Sequence, residues 1–404
     1  MTSDLKEYKL GNICEILSSK RIFAADYVSE GIPFYRSKEI IQKSLGREID
    51  EKLYISTDKF DLIKKHYGAP TEGDILISAV GERSGIPYLV QNETFYFKDG
   101  NLIWLRNFDK SIIDSHYLCY WFKSMIGQSS LNNLMIGSAQ RALTIIGIKG
   151  ISIKLPSLEI QQKIAKVLSA IDDKIELNNS INNNLEQQSM ALFKNKFVGI
   201  KNDDRTMCKA EEYFDISIGK TPPRKEPEWF SDIDGIKWIS ISDMGNCGMY
   251  ISNSSEYLNP VAIDKFNVKI VPDNTVILSF KLTVGRVAIT DGEMATNEAI
   301  AHFKTDNKNV NEYLYCYLKR FNYQTMGSTS SIATAVNSKI IKAMPFVVPT
   351  EDEINEFHTV TEPMFKQIKL NQIENVRLIE LRDTLLPKLM SGEIDVDKII
   401  INQA

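Results

Sequence analysis

The same unit is written twice in this chain, at a separation of roughly 190 to 200 residues. Solenoid repeats recur at about 20–50 residues, so this period implies two related domains, each burying its own core. Each copy opens on a short segment and a basic, polar loop. Leu10-Gly11-Asn12-Ile13 leads to Ser18-Ser19-Lys20-Arg21, and Tyr213-Phe214-Asp215-Ile216 leads to Gly219-Lys220-Thr221-Pro222-Pro223-Arg224-Lys225. Apolar, β-prone runs follow at Gly31–Arg36 and Gly235–Ser240. A strand, a glycine-bearing loop and a second strand then appear as Asp74–Pro87 and Thr275–Ala288.

An aromatic helix comes next in both copies, His116–Phe122 and Tyr313–Leu318, followed by a polar loop, Gly137–Gln140 and Gly327–Ser330. The helical spacing of Tyr117, Tyr120, Trp121, Tyr313 and Tyr317 beside leucines marks them as core residues rather than base-stacking platforms. Each copy closes on an apolar strand that runs into proline, at Pro156 and Pro349. Ser157 or Thr350 then stands where a helix cap belongs, with acids in the next turn. The helices are expected from about Glu159 to Lys196 and from Asp352 to Leu386.

Alternating steps of three and four along the first helix give Leu168, Ile171, Ile175, Asn178, Asn182, Leu185, Ser189 and Leu192. Along the second they give Met364, Ile368, Asn371, Asn375, Leu378, Arg382, Leu385 and Leu389. Such a seam is that of a coiled coil. Asn178, Asn182, Asn371 and Asn375 fall in mid-seam, where antiparallel pairing would bring them together and fix the register. The competing reading is two separate surface helices with their asparagines in water.

Composition narrows the functional classes. No apolar run reaches the roughly 18 residues of a membrane span and the first residues have no signal-peptide pattern, so a cytoplasmic location is expected. Five scattered cysteines, none in a C-x-x-C pair, point to neither a disulfide framework nor a zinc knuckle. The four histidines are dispersed, and no metal site or nucleophile–base pair is suggested. Gly219-Lys220-Thr221 lacks the first glycine of a phosphate loop, since Phe214 stands there, and Pro222 blocks the helix that such a loop needs. A net charge of -4 confines any nucleic-acid contact to local basic clusters.

Over nearly its whole length the sequence resembles the specificity subunits of type I restriction-modification systems. The likeness rests on Gly219-Lys220-Thr221-Pro222 with Gly235-Ile236-Lys237-Trp238-Ile239, on Gly31–Arg36, on Leu155–Ile164 where the first helix starts, and on Leu385–Ile394 near the C-terminus. The second copy departs from the family pattern where its helix starts, at Glu353–Phe357. The resemblance implies an α+β fold: two target-recognition domains of twisted β-sheet with few helices, separated by two long antiparallel coiled-coil helices in a pseudo-twofold internal repeat. The expected boundaries are 1–155 and 199–348 for the domains, with 156–198 and 349–404 for the helices and tail.

It also implies a non-catalytic subunit that binds a bipartite, asymmetric double-stranded DNA target. Two methyltransferase subunits and the restriction (motor-nuclease) subunits would then carry the chemistry. No cofactor is expected on this chain, and S-adenosylmethionine, ATP and Mg would be held by the partners. The alternatives are a stand-alone modification or cleavage enzyme, for which no methyltransferase or cofactor motif is legible, and a coiled-coil scaffold without a DNA role.

Candidate DNA contacts lie in loops beside the expected strands, where Lys and Arg can meet phosphates or guanine edges. In the first copy these are Lys20, Arg21, Arg36, Lys38 and Arg83, and in the second Lys220, Arg224, Lys225, Lys281 and Arg286. Gln140, Arg141, Ser328 and Thr329 join them from the matching polar loops, against the plainer reading of a solvated turn.

Overall fold

The computed structural model describes residues 5–46, 49, 51–81, 83–137, 141–198, 206–326 and 336–399. The chain divides into two compact units, Met1–Glu176 with Arg377–Ala404, and Leu177–Val376. Both divisions fall inside a long helix, so each unit holds one sheet-bearing domain and a part of both helices.

The first unit contains β1 (Lys6–Lys9), β2 (Glu15–Leu17), β3 (Tyr27–Val28), β4 (Ile32–Tyr35), β5 (Leu53–Ile55), β6 (Ile75–Ser78), β7 (Pro87–Leu89), β8 (Tyr96–Phe97), β9 (Leu102–Arg106) and β10 (Ser152–Leu155). They form one sheet in the order β2-β9-β6-β7 and a second in the order β3-β5-β4-β8. β1 pairs antiparallel with β10, Lys6 opposite Leu155, so the two ends of the copy meet before the long helix begins. β6 reads as an unbroken apolar run because both of its faces are covered. Ile75 and Ile77 enter one core with Tyr117, Leu118 and Phe122. Leu76 enters another with Phe97 and Trp104.

The second unit repeats this plan with β11 (Met207–Lys209), β12 (Asp215–Ile218), β13 (Phe230–Ser231), β14 (Ile236–Ile239), β15 (Tyr250–Ile251), β16 (Glu256–Leu258), β17 (Val276–Ser279), β18 (Val287–Thr290), β19 (Ala295–Thr296), β20 (Ile300–Lys304) and β21 (Pro345–Val347). Its sheets run β12-β20-β17-β18-β15 and β13-β16-β14-β19, and β11 pairs with β21. One ion pair recurs across equivalent strands, Glu15–Arg106 at 2.8 Å and Asp215–Lys304 at 2.5 Å. The first sheet gains the edge strand β15 in this copy. Gln372 of the second long helix closes that edge, its Oε1 accepting from the Tyr250 amide and its Nε2 donating to the Tyr250 carbonyl, both at 3.0 Å.

The long helices span Leu158–Phe197 and Glu351–Ser391. The second runs past its expected end at Leu386 and through Pro387, because Leu386 and Leu389 are buried in the first unit's core and hold the last turns helical. In the second unit the helices pair antiparallel through the asparagines. Asn178 Nδ2 donates to Asn375 Oδ1 at 2.8 Å, Asn371 Nδ2 to Asn182 Oδ1 at 2.8 Å, and Asn375 Nδ2 to Asn179 Oδ1 at 2.9 Å. In the first unit the same antiparallel sense brings Arg382 Nη1 to Asp172 Oδ1 at 2.8 Å, and Tyr120 donates to the other carboxylate oxygen.

The seam expected from sequence departs from the structure at Leu192, which is exposed while its neighbour Phe193 is buried. A straight helix of 3.6 residues per turn drifts away from a 3.5-residue repeat, and the Phe193 ring packs at a tilt against Tyr313 of the adjacent domain core. The aromatic helices pack inward as expected. Tyr117, Tyr120, Trp121 and Tyr313 are buried, and the Tyr313 and Tyr317 hydroxyls donate to carbonyls of β21. The five cysteines are free thiols. Among the described residues, no helix is long and apolar enough to cross a membrane.

Candidate nucleic-acid interface

In the first unit, backbone bonds gather loops that are far apart in sequence. The Asn101 carbonyl accepts from both Ser37 Oγ at 2.7 Å and the Ala79 amide at 2.8 Å. Gly100 donates to Ser18 Oγ, and Arg21 Nε meets Asp99 at 2.7 Å. The Gly81 amide reaches the Arg141 carbonyl, and Leu143 donates to Ala79. The loops bearing Arg21, Arg83 and Arg141 are thereby tied together through the turns at 79–81 and 98–101, along with Lys38, which was expected in a loop but stands in the first turn of a helix, Ser37–Ser44.

Lys20, Arg21, Lys38, Arg83 and Arg141 are exposed. Arg36 lies against Glu39 at 2.6 Å and Glu51 at 2.9 Å, so its guanidinium is already engaged within the domain. Gln140 lies outside the described residues.

Beside these loops is a polar cleft of about 590 Å³, lined by Lys20, Lys65, His66, Tyr67, Trp104 and Arg106, among others. Lys20 Nζ sits 5.1 Å above the Tyr67 ring, and Arg106 stacks 4.4 Å over Trp104. Lys65, His66 and Tyr67 escaped the reading of strands and loops because they end an unforeseen helix, Thr57–Tyr67. Its signals were present in Ser56, whose hydroxyl accepts from the Lys59 amide, and in Gly68 at φ +84 just past the last turn.

The second unit builds its loops on the same frame. The Lys220 amide donates to the Thr296 carbonyl at 2.9 Å, and Trp238 Nε1 donates to the Lys220 carbonyl at 3.2 Å. Gly219 is needed by close approach: a Cβ there would stand 2.1 Å from both the Asn297 carbonyl and Thr296 Oγ1. Thr221 bonds Glu298. Burial pushes the Glu298 carboxyl up, but Thr221, its own backbone amide, Lys281 and Arg224 together hold it below the usual carboxylate range. The Phe280 amide donates to the Ala299 carbonyl at 2.9 Å, so the turn that carries Lys281 is tied to the same 296–299 segment as the Lys220–Thr221 loop.

Lys220, Lys225 and Lys281 are exposed. Two of the expected contacts serve the fold as well. Arg224 forms a bidentate pair with Glu256 at 2.7 and 2.8 Å and stacks on Phe230 and Trp238. Arg286 donates to the Ile241 carbonyl at 2.6 Å. Ser328 and Thr329 lie outside the described residues.

Below this loop the two copies differ in chemistry. The first fills the position with Leu17, Phe97 and Trp104, the last two rings in edge contact. The second has Ser217, Thr296 and His302, with His302 Nδ1 3.0 Å from Ser217 Oγ and Nε2 2.6 Å from Thr296 Oγ1. One frame thus carries two chemically different buried layers beneath its loops. Among the described residues no group of histidine, cysteine or carboxylate side chains is arranged to hold a metal ion.

Residues 2–187 and 202–380 match the type I restriction modification DNA specificity domain. The chain belongs to this family. It is similar to the HindI specificity subunit of Haemophilus influenzae, at 24% identity over 97% of this chain and 100% of that protein. It also resembles the MjaIX specificity subunit of Methanocaldococcus jannaschii, at 29% identity over 72% of this chain and 71% of that one. The fold resembles that of the S subunit from M. genitalium, with a TM-score of 0.58 at 16% identity, covering 96% of each chain. The protein is a DNA specificity subunit, a member of a restriction-modification assembly whose catalytic work lies on other subunits.

Proposed function

We propose that each domain reads one half of a bipartite, asymmetric duplex sequence and that the subunit directs adenine methylation and cleavage by its partners. The observation that carries this reading is the pairing of one frame with two divergent loop sets, Lys20–Arg21 with Arg83 and Arg141, and Lys220–Lys225 with Lys281. Exposed lysines and arginines gain counterion-release energy on phosphates, and the residues that differ between copies read base edges. Two methyltransferase subunits and motor-nuclease restriction subunits complete the complex, in the cytoplasm, and hold the S-adenosylmethionine, ATP and Mg that this chain does not bind.

Mapping methylated adenines in host DNA tests the reading. The modified sequence is expected to have two defined parts around an unspecified spacer. Exchanging residues 1–150 for those of another family member should alter one part only, and a change in both parts overturns the assignment of one half-site to each domain.

A further inference from the structure

Between β17 and β18 the chain turns through Phe280–Gly285, and at the tip Leu282 adopts φ +61. That region disfavours any side chain with a Cβ. Leu282 is also 97% exposed, so no packing compensates for the conformation. The corresponding turn in the first copy carries Gly81 at φ +98, where an added Cβ would meet nothing within 4 Å. The bend therefore belongs to both copies, and only the second mounts a large apolar side chain on it. The fold gains nothing from this leucine.

Its neighbours indicate what it faces. Lys281 is exposed beside it, and the Phe280 amide donates to the Ala299 carbonyl at 2.9 Å, next to Glu298, whose carboxylate bonds Thr221. The tip therefore belongs to the basic loop cluster of the second domain. We propose that Leu282 is a specificity-determining residue that packs against a base edge in the second half-site, the C5-methyl of a thymine being the group that matches it in the major groove. This rests on the reading of the chain as a DNA specificity subunit.

The test uses the subunit assembled with its methyltransferase partners and a duplex carrying the mapped target. Each thymine of the second half-site is replaced in turn by deoxyuridine, which removes only the methyl group. Wild type should lose about fourfold in affinity at one such position, what burying a single methyl-sized group is worth. L282G should lose a similar factor on the unmodified duplex and be indifferent to deoxyuridine at that position. L282N, which tolerates the same backbone conformation, should behave like L282G. K281A should instead lower the salt slope of binding by about one, a slope that L282G leaves unchanged.

If wild type binds the mapped duplex no better than random DNA, the specificity-subunit reading itself fails. If wild type is selective but L282G matches it in affinity and in deoxyuridine response, only the Leu282 inference fails. It fails equally if L282N retains full affinity, or if L282G no longer assembles with the methyltransferase subunits, which would make Leu282 a protein contact.

Discussion

Acidifying the protein from pH 7 to pH 5 should weaken the second unit through one side chain, His302. Its ring is fully buried in β20 between Ser217 and Thr296, and burial, followed by the nearby Lys304, lowers its pKa from 6.5 to about 3. The unfolded chain restores the ordinary value, so folding favours the neutral ring. The stabilisation is complete above pH 6.5 and is lost as pH falls from there toward 3. With these two values the linkage relation gives a loss of about 2 kcal/mol between pH 7 and pH 5, and about 3 kcal/mol by pH 4. For a unit of this size the pH 5 loss corresponds to about 4–8 °C in Tm. Thr296 also accepts the Lys220 amide through its carbonyl, so the same protonation should loosen the loop proposed to meet DNA. The assay compares thermal unfolding of wild type and H302Q at both pH values, with hydrogen exchange of β12 and β20 amides to localise the change. H302Q keeps hydrogen-bonding capacity without a titrating ring, so its pH dependence should be shallower by the stated amount. Equal slopes in the two proteins, or an NMR titration of His302 near 6.5, refute the reasoning.

Four further outcomes are expected. N375A removes one of the two 2.8 Å acceptors of Asn178 Nδ2, the other being Glu374, together with the bond from Asn375 Nδ2 to Asn179, and should cost about 1–3 kcal/mol, whereas replacing Asn178 and Asn375 together by leucine should restore or raise thermal stability while relaxing helix register, read by disulfide trapping between the helices. Q161L strands the Asp114 amide and the Ile112 and Pro156 carbonyls, each within 3.0 Å of the buried Gln161 amide, and should destabilise the first unit by at least about 2 kcal/mol in urea unfolding. G219A should cost about 1–3 kcal/mol, because its Cβ collides with Thr296 and Asn297, and should weaken binding of the second half-site more than the first. Q372A uncovers the edge at β15 and should speed hydrogen exchange at the Tyr250 amide without altering that of β17.

The repeat of about 190–200 residues, the order of its elements and the heptad seam were enough to determine two copies of one domain, each followed by a long seamed helix, because hydrophobic periodicity and turn chemistry are local properties; that the seams meet antiparallel rather than lie as separate surface helices was decided by the asparagine contacts. The seam failed only near Leu192, where Phe193 found a tertiary partner. Which basic residues stay free was decided by tertiary structure. Nothing near Arg224 or Arg286 in sequence distinguishes them from Lys220 or Lys281, yet Glu256 and the Ile241 carbonyl, 32 and 45 residues away, engage them, while Arg36 has a near partner in Glu39 to which the fold adds Glu51. The exposure of Leu282 and the burial of His302 were equally hidden, since both depend on which loop or strand lies opposite. A side chain's chemistry is written at its own position. Its solvation and partners are set by residues that only the folded chain brings near.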